Sequence, residues 1–130
     1  IMRKYLTILT AALLIFSAPA QANAPKEGGA SAYAKLETLT VNLQGLTQYL
    51  QVNMALKLAK PEIADSIKEW NPVIRHELIL LLSSQRGEEL ATLEGKKKVM
   101  EAAKTAVNKI LKLDDHGGVT DILFESFIIQ

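Results

Sequence analysis

The chain has 130 residues, 48% of them hydrophobic, with 15 basic residues against 14 acidic ones and no cysteine. That length holds one modest domain, and the absence of thiols excludes disulfides, thiolate nucleophiles and cysteine-ligated zinc. A formal net charge of +1 excludes the concentrated basic surplus of a nucleic-acid-binding protein, and two histidines leave little for metal ligation or general base chemistry.

Met2-Arg3-Lys4 makes a short positive start, and Tyr5 to Phe16 is an uncharged, mostly apolar run of 12 residues. Ser17 to Asn23 and Ala24 then offer Ala-x-Ala sites at Ala18/Ala20, Ala20/Ala22 and Ala22/Ala24. This is the pattern of a secretory signal peptide over residues 1–24, with an uncleaved anchor as the alternative. The apolar run falls short of the roughly 20 residues that a spanning helix needs. Residues 25–32, with Gly28-Gly29 among small and charged residues, bury too little apolar area to fold and read as a flexible tether. The folded domain is expected over residues 33–130.

From Tyr33 to Leu43 the residues suit a strand with Leu39, Val41 and Leu43 on one face. Leu36 falls on the other face, which predicts a bulge near Glu37-Thr38. Gln44 to Thr47 reads as a turn. In the next strand Leu50, Val52, Met54, Leu56 and Leu58 face inward, while Tyr49, Gln51, Asn53, Ala55 and Lys57 face out. The two strands make an antiparallel hairpin.

Pro61 suits a first helical position, and Ile63, Ile67 and Trp70 follow at helical spacing. Asn71-Pro72 ends that helix and opens a second, from about Pro72 to Ser84, with Ile74, Leu78, Leu81 and Leu82 inward and Arg75 and Glu77 outside. Gly87 breaks the chain, and Thr92 caps a third helix running to about Leu113. Its apolar stripe is Val99, Met100, Ala103, Ala106, Val107, Ile110 and Leu111; its polar face carries Lys97, Glu101, Lys104, Asn108 and Lys112. Asp114 to Gly118 is a loop into a last, inner strand from Val119 to Gln130. Strict alternation there puts Ile122, Phe124 and Ile128 on one face and Leu123, Phe127 and Ile129 on the other. The fold class is α+β, an antiparallel sheet of the N-terminal hairpin plus the C-terminal strand, covered by three helices.

No set of residues assembles an active site, a metal centre or a cofactor site. His76 between Arg75 and Glu77 reads as a surface residue, and Asp114-Asp115-His116 beside Gly117-Gly118 reads as a turn rather than a ligand cluster. Ser83-Ser84 has no elbow motif around it. Lys96-Lys97-Lys98 with Lys104, Lys109 and Lys112 makes a solvated face, with peripheral contact to lipid headgroups or acidic partners as its functional alternative. Trp70 and Met100 read as core.

Four segments together resemble the FliL family of flagellar basal-body-associated proteins. They are Val41-Asn42-Leu43 with Tyr49-Leu50-Gln51-Val52; Pro72-Val73-Ile74-Arg75 leading into Leu81-Leu82-Ser83; Glu89-Leu90-x-Thr92-x-Glu94-Gly95-Lys96 with Asn108 further on; and Val119 to Gln130. The resemblance implies a non-enzymatic periplasmic domain with a stomatin-type SPFH fold, one that forms homo-oligomeric rings around the periplasmic linker of flagellar stator units and supports motility. It implies no cofactor. Typical members keep a transmembrane helix after a short cytoplasmic tail, whereas residues 1–24 here resemble a cleavable signal, so a periplasmic envelope adaptor of the same fold is the second reading. The face expected to meet partners is Lys97, Glu101, Lys104 and Asn108 on the long helix.

Overall fold

The computed structural model describes residues 32–45 and 47–130. The expected signal segment, and all of the expected tether except Ala32, lie outside them. Strand β1 (Ala32–Lys35) opens the domain one residue before expectation and is followed by β2 (Leu39–Asn42) and β3 (Tyr49–Leu58). Helices α1 (Ile63–Glu69), α2 (Asn71–Ser83), α3 (Gly87–Leu90) and α4 (Leu93–Leu111) come next, and β4 (Val119–Ile129) closes the sheet.

All strand pairing is antiparallel and runs through β3. β4 takes one edge of β3 along its length, from Leu50↔Ile129 to Leu58↔Val119. β1 and β2 therefore share the other edge, with Tyr33↔Lys57 and Lys35↔Ala55 at one end and Leu39↔Val52 and Asn42↔Tyr49 at the other. The last strand, expected to be inner, is an edge strand whose sole strand neighbour among the described residues is β3. The inner strand is β3: its strict alternation buries Leu50, Val52, Met54, Leu56 and Leu58 against the helices.

The bulge expected near Glu37-Thr38 is present as one extra residue between Lys35↔Ala55 and Leu39↔Val52. It returns Leu36 to the inner side, where it is buried and its N–H donates to the Met54 carbonyl at 3.0 Å. The carbonyls of Glu37 and Thr38, freed from the ladder, accept from the two guanidinium nitrogens of Arg75 at 2.9 and 3.4 Å. Arg75, expected outside α2, thus spans from helix to bulge.

β4 carries two further irregularities, between Asn53/Met54 and between Lys57/Leu58, which leave Glu125 and Thr120 without a partner in the register. Each resets the alternation by one residue. Val119, Ile122, Phe124, Phe127 and Ile129 consequently all stand on the inner face, opposite Leu58, Leu56, Met54, Val52 and Leu50. Leu123 and Ile128 stand on the outer face and are exposed. The expected grouping of Ile122 and Phe124 with Ile128, and of Leu123 with Phe127 and Ile129, is corrected by the Glu125 bulge.

The helices form one layer on the inner face, α1 against β1, α2 against β2 and α4 against β4. Leu39, Leu43, Leu50, Met54, Leu56, Ile74, Leu78, Leu82 and Ile122 are fully buried between the layers. A fourth helix, the single-turn α3, occupies what reads in sequence as a turn, and its Leu90 is fully buried. Trp70, expected in the core, is 44% exposed. It is the one residue between α1 and α2: its N–H donates to Ser66 and its carbonyl accepts from Ile74, both at 2.9 Å, so the joint turns its ring out of the α1 apolar face. Ala55 errs the other way. It points to the outer face yet is only 4% exposed, because it is small and lies between Lys35 and Leu123, with the Lys35–Glu125 ion pair (3.3 Å) reaching across that face.

Candidate interaction face between helix α4 and the edge of β4

α4 is set in place at its start. The Thr92 hydroxyl accepts from the Gly95 N–H at 2.9 Å and donates to the Glu89 carbonyl at 2.8 Å, the cap read from the sequence. A Cβ at position 95 would run into the Glu89 carbonyl, so glycine there is what lets α3 and α4 approach. Val99, Ala103 and Val107 recur at helical spacing and bury one side of α4. Lys112, with φ of +60°, ends the helix in the left-handed region.

The three consecutive lysines have different environments. Lys96 donates to the carbonyls of Leu90 and Ala91 at 3.0 and 3.3 Å, and its ammonium lies 4.8 Å from the centre of the Phe127 ring. It closes the end of α3 and covers β4 by a cation–π contact. Lys97 and Lys98 are exposed.

Lys97, Glu101, Lys104 and Asn108 share one side of α4, spaced by three or four residues. Lys97 and Glu101 are exposed as expected. Lys104 is half-buried and pairs with Glu101 at 3.0 Å. That hydrogen bond holds the Lys104 ammonium above its ordinary range, with the charges of Asp115 and Asp121 adding to it. Asn108 departs from expectation. It is 5% exposed, its Oδ1 accepts from the Val119 N–H at 2.7 Å and its Nδ2 donates to the Val119 carbonyl at 2.9 Å. Its amide serves the backbone of β4 and is buried away from any partner.

That correction locates the other three residues. Because Asn108 holds the first residue of β4 and Lys96 covers Phe127 near its end, α4 runs antiparallel to β4. The side of α4 that bears Lys97 and Glu101 therefore borders β4, and with Met100 and Asp121 these two residues line a cavity of about 350 Å³ between helix and strand. A wider open groove of about 690 Å³ lies by α2 and α4, lined by Glu77, Ala102, Ala106 and Ile110 among others.

Of the remaining residues weighed in the sequence, Asp114 and Asp115 line a groove of about 440 Å³ with Glu101 and Lys104, whereas His76 and Ser84 lie on α2 and at its end. His76 is exposed on α2, and the Ser84 hydroxyl donates to the Leu81 carbonyl at 2.7 Å at the end of that helix. Asp114 Oδ1 accepts from the N–H groups of His116 and Gly117 at 2.9 and 2.7 Å, the geometry of an Asx turn. These bonds, that of Gly117 foremost, hold its carboxyl below the usual carboxylate range. Among the described residues no group of three or more His, Asp or Glu is placed to hold a metal ion, and no helix is long and apolar enough to cross a membrane.

The profile of the family described as "Flagellar basal body-associated protein FliL" matches residues 33–130, which take in α4, β4 and the face between them. The chain belongs to the FliL family. The Flagellar protein FliL of Escherichia coli strain K12 is 34% identical to this chain over 96 residues, which cover 73% of this chain and 62% of that protein. The Flagellar protein FliL of Aquifex aeolicus strain VF5 is 30% identical over 84 residues, 65% of this chain and 50% of that protein. The chain thus spans about three-fifths of the length of the Escherichia coli relatives it matches (62%). FliL is a family of flagellar accessory proteins and not of enzymes.

Proposed function

We propose that this FliL-family chain acts without chemistry in the flagellar basal body, where the domain of residues 33–130 forms a periplasmic oligomer that supports the stator units through their periplasmic linker. The observation that carries the reading is the family match along the whole of that domain. The stomatin-type SPFH likeness of the fold belongs to the same proposal. Export to the periplasm rests on residues 1–24, where a positive start, a short apolar run and three Ala-x-Ala sites follow one another. The contact face is the border of α4 and β4, with Lys97 and Glu101 as its exposed charges and Lys104 as their half-buried neighbour. The same signal-like segment also favours a second reading, a periplasmic envelope adaptor of this fold away from the motor.

Gene deletion tests the first reading. Filaments should assemble, while swimming speed and swarming fall under viscous load, where the most stators must stay engaged. Lys97→Glu and Glu101→Lys should each reproduce part of that defect. Normal motility at every load, in a strain with no paralogue to substitute, leaves the adaptor reading in its place. Intact-mass analysis of the periplasmic fraction should find a chain beginning near Gln21 to Pro25; recovery of full-length protein only in the membrane pellet would restore the anchored arrangement.

A further inference from the structure

An antiparallel ladder alternates residues whose backbone groups turn toward the neighbouring strand with residues whose groups turn away. Tyr49 and Gln130 exchange both of their bonds, each at 2.9 Å, and so set the phase of the β3–β4 ladder. By that alternation Phe127 and Ile129, opposite Val52 and Leu50, turn their N–H and C=O groups outward. Phe124, opposite Met54 beyond the bulge, does the same. The next outward N–H, that of Ile122, is closed off by its neighbour's carboxylate, Asp121 Oδ1, at 2.9 Å. No described segment forms a backbone hydrogen bond to Phe124, Phe127 or Ile129 on that edge. The unpaired stretch is thus bounded, from Phe124 to Ile129.

α4 packs against β4, and beside the start of this stretch helix and strand line a slot with Lys97, Met100, Glu101 and Asp121. Its charges are unequally committed. Glu101 is paired with Lys104, Asp121 holds the Ile122 N–H, and Lys97, exposed at the cavity that Met100 and Asp121 also line, has no ion-pair partner among the described residues.

We propose that this slot is a strand-addition site, in which an extended polypeptide segment with acidic side chains lies along Phe124–Ile129, exchanges backbone hydrogen bonds with β4 and turns a carboxylate toward Lys97. The occupant's conformation follows from the free backbone groups, which only another extended backbone matches in spacing, and its charge follows from Lys97. A second copy of this chain fits less well. Pairing β4 with β4 about a twofold axis would bring Lys96 and Lys97 of both copies together, because Lys96 sits at Phe127 in the middle of the stretch. A junction this short also buries far less than the roughly 1,600 Å² of a standard specific interface. The chain's own upstream segment enters at Ala32 on the opposite edge of β3, and Pro25, Gly28 and Gly29 are poor ladder residues. The inference rests on the reading of the α4–β4 border as the contact face, and adds the conformation and charge of what binds there.

The test uses the full chain, isotope-labelled, with the capped peptide Thr-Val-Glu-Val-Glu-Val-Thr as probe and the same peptide with lysine for glutamate as control. The acidic peptide should slow amide exchange at Phe124, Phe127 and Ile129 by about tenfold or more, and leave Ile128, already bonded to β3, unchanged. The lysine peptide should bind about tenfold more weakly, and Lys97→Glu should reverse the order of the two peptides. Ile129→Pro, which removes one outward N–H and keeps the bonds between β4 and β3, should weaken the acidic peptide; Lys97→Glu carries the test if that variant does not fold. No slowing at about millimolar peptide, or equal binding of both peptides, would overturn the proposal. So would protection of these three amides without peptide that grows with protein concentration, since the edge would then be a self-association surface. A motility phenotype with no peptide effect would defeat strand addition alone, whereas peptide binding in a chain whose deletion leaves motility normal would defeat the basal-body role alone.

Discussion

The side chain of Asn108 is bonded to Val119 as a neighbouring strand would be, accepting from its N–H at 2.7 Å and donating to its carbonyl at 2.9 Å. One amide thereby ties the long helix to the first residue of β4 and satisfies both backbone groups of a fully buried residue. The fit is close: a Cβ on the adjoining Gly118 would meet Asn108 Oδ1 and stand 2.7 Å from Leu113 Cβ. Asn108→Ala strands a buried donor and a buried acceptor, and should cost about 1–3 kcal/mol. Urea unfolding of the purified variant measures it. A midpoint equal to wild type would mean that water replaces the amide.

The Glu125 bulge makes two isoleucines of one strand unequal. Ile122 is fully buried and Ile128 is exposed, although they stand six positions apart, an even spacing that would put both on one face of a regular strand. Ile122→Ala should lose about 2–5 kcal/mol, and Ile128→Ala no more than about 0.5 kcal/mol. Equal losses in thermal unfolding would show that β4 pairs without the bulge.

Arg75 donates to two carbonyls that the first bulge has released from the ladder. Arg75→Met keeps most of the aliphatic stem and removes both donors, so it should cost about 0.5–1.5 kcal/mol and speed amide exchange along β2. Because the site is partly open to water, a larger loss would point to packing of the stem. Hydrogen exchange read by mass spectrometry separates the local effect from global unfolding.

Asp114 supplies a pH dependence of known sign. Its carboxyl sits below the ordinary value of 3.8 in the folded chain, chiefly because the N–H of Gly117 donates to it, and that of His116 after it. A depressed folded value means that the charged form is favoured by folding, so the contribution is complete above 3.8 and is lost as pH falls through the lower folded value. Asp114→Asn cannot titrate and should flatten the acid side of the stability profile below about pH 4, leaving the neutral region little changed. Urea midpoints of both proteins across that range are the measurement.

Charge reversal at Lys97 should leave the fold intact, within about 0.5 kcal/mol of wild type by thermal unfolding, since the residue is exposed and unpaired among the described residues. A large loss there would mean that motility defects in the same variant report unfolding and not a broken contact.

Elements whose chemistry is local were legible in the chain alone. The alternation from Leu50 to Leu58, the Thr92 cap, and the spacing of Val99, Ala103 and Val107 each encode a period that the backbone must follow wherever it lies. The misplacement of Leu36 also announced its bulge, because one residue out of phase cannot otherwise reach the core. What the tertiary structure decided depended on partners far away in the chain. Whether β4 is inner or edge depends on which strands flank β3, and the bulge at Glu125 depends on matching its register to a strand about 70 residues earlier, between Asn53 and Met54. Asn108 looks like any polar residue of a helix until β4 starts beside it. Trp70 looks like core until the helix ends at Glu69 and a one-residue joint turns it away. Local periodicity says which side of an element is apolar; only assembly says how much of that side is covered, and which polar group on the other side meets unpaired backbone instead of water.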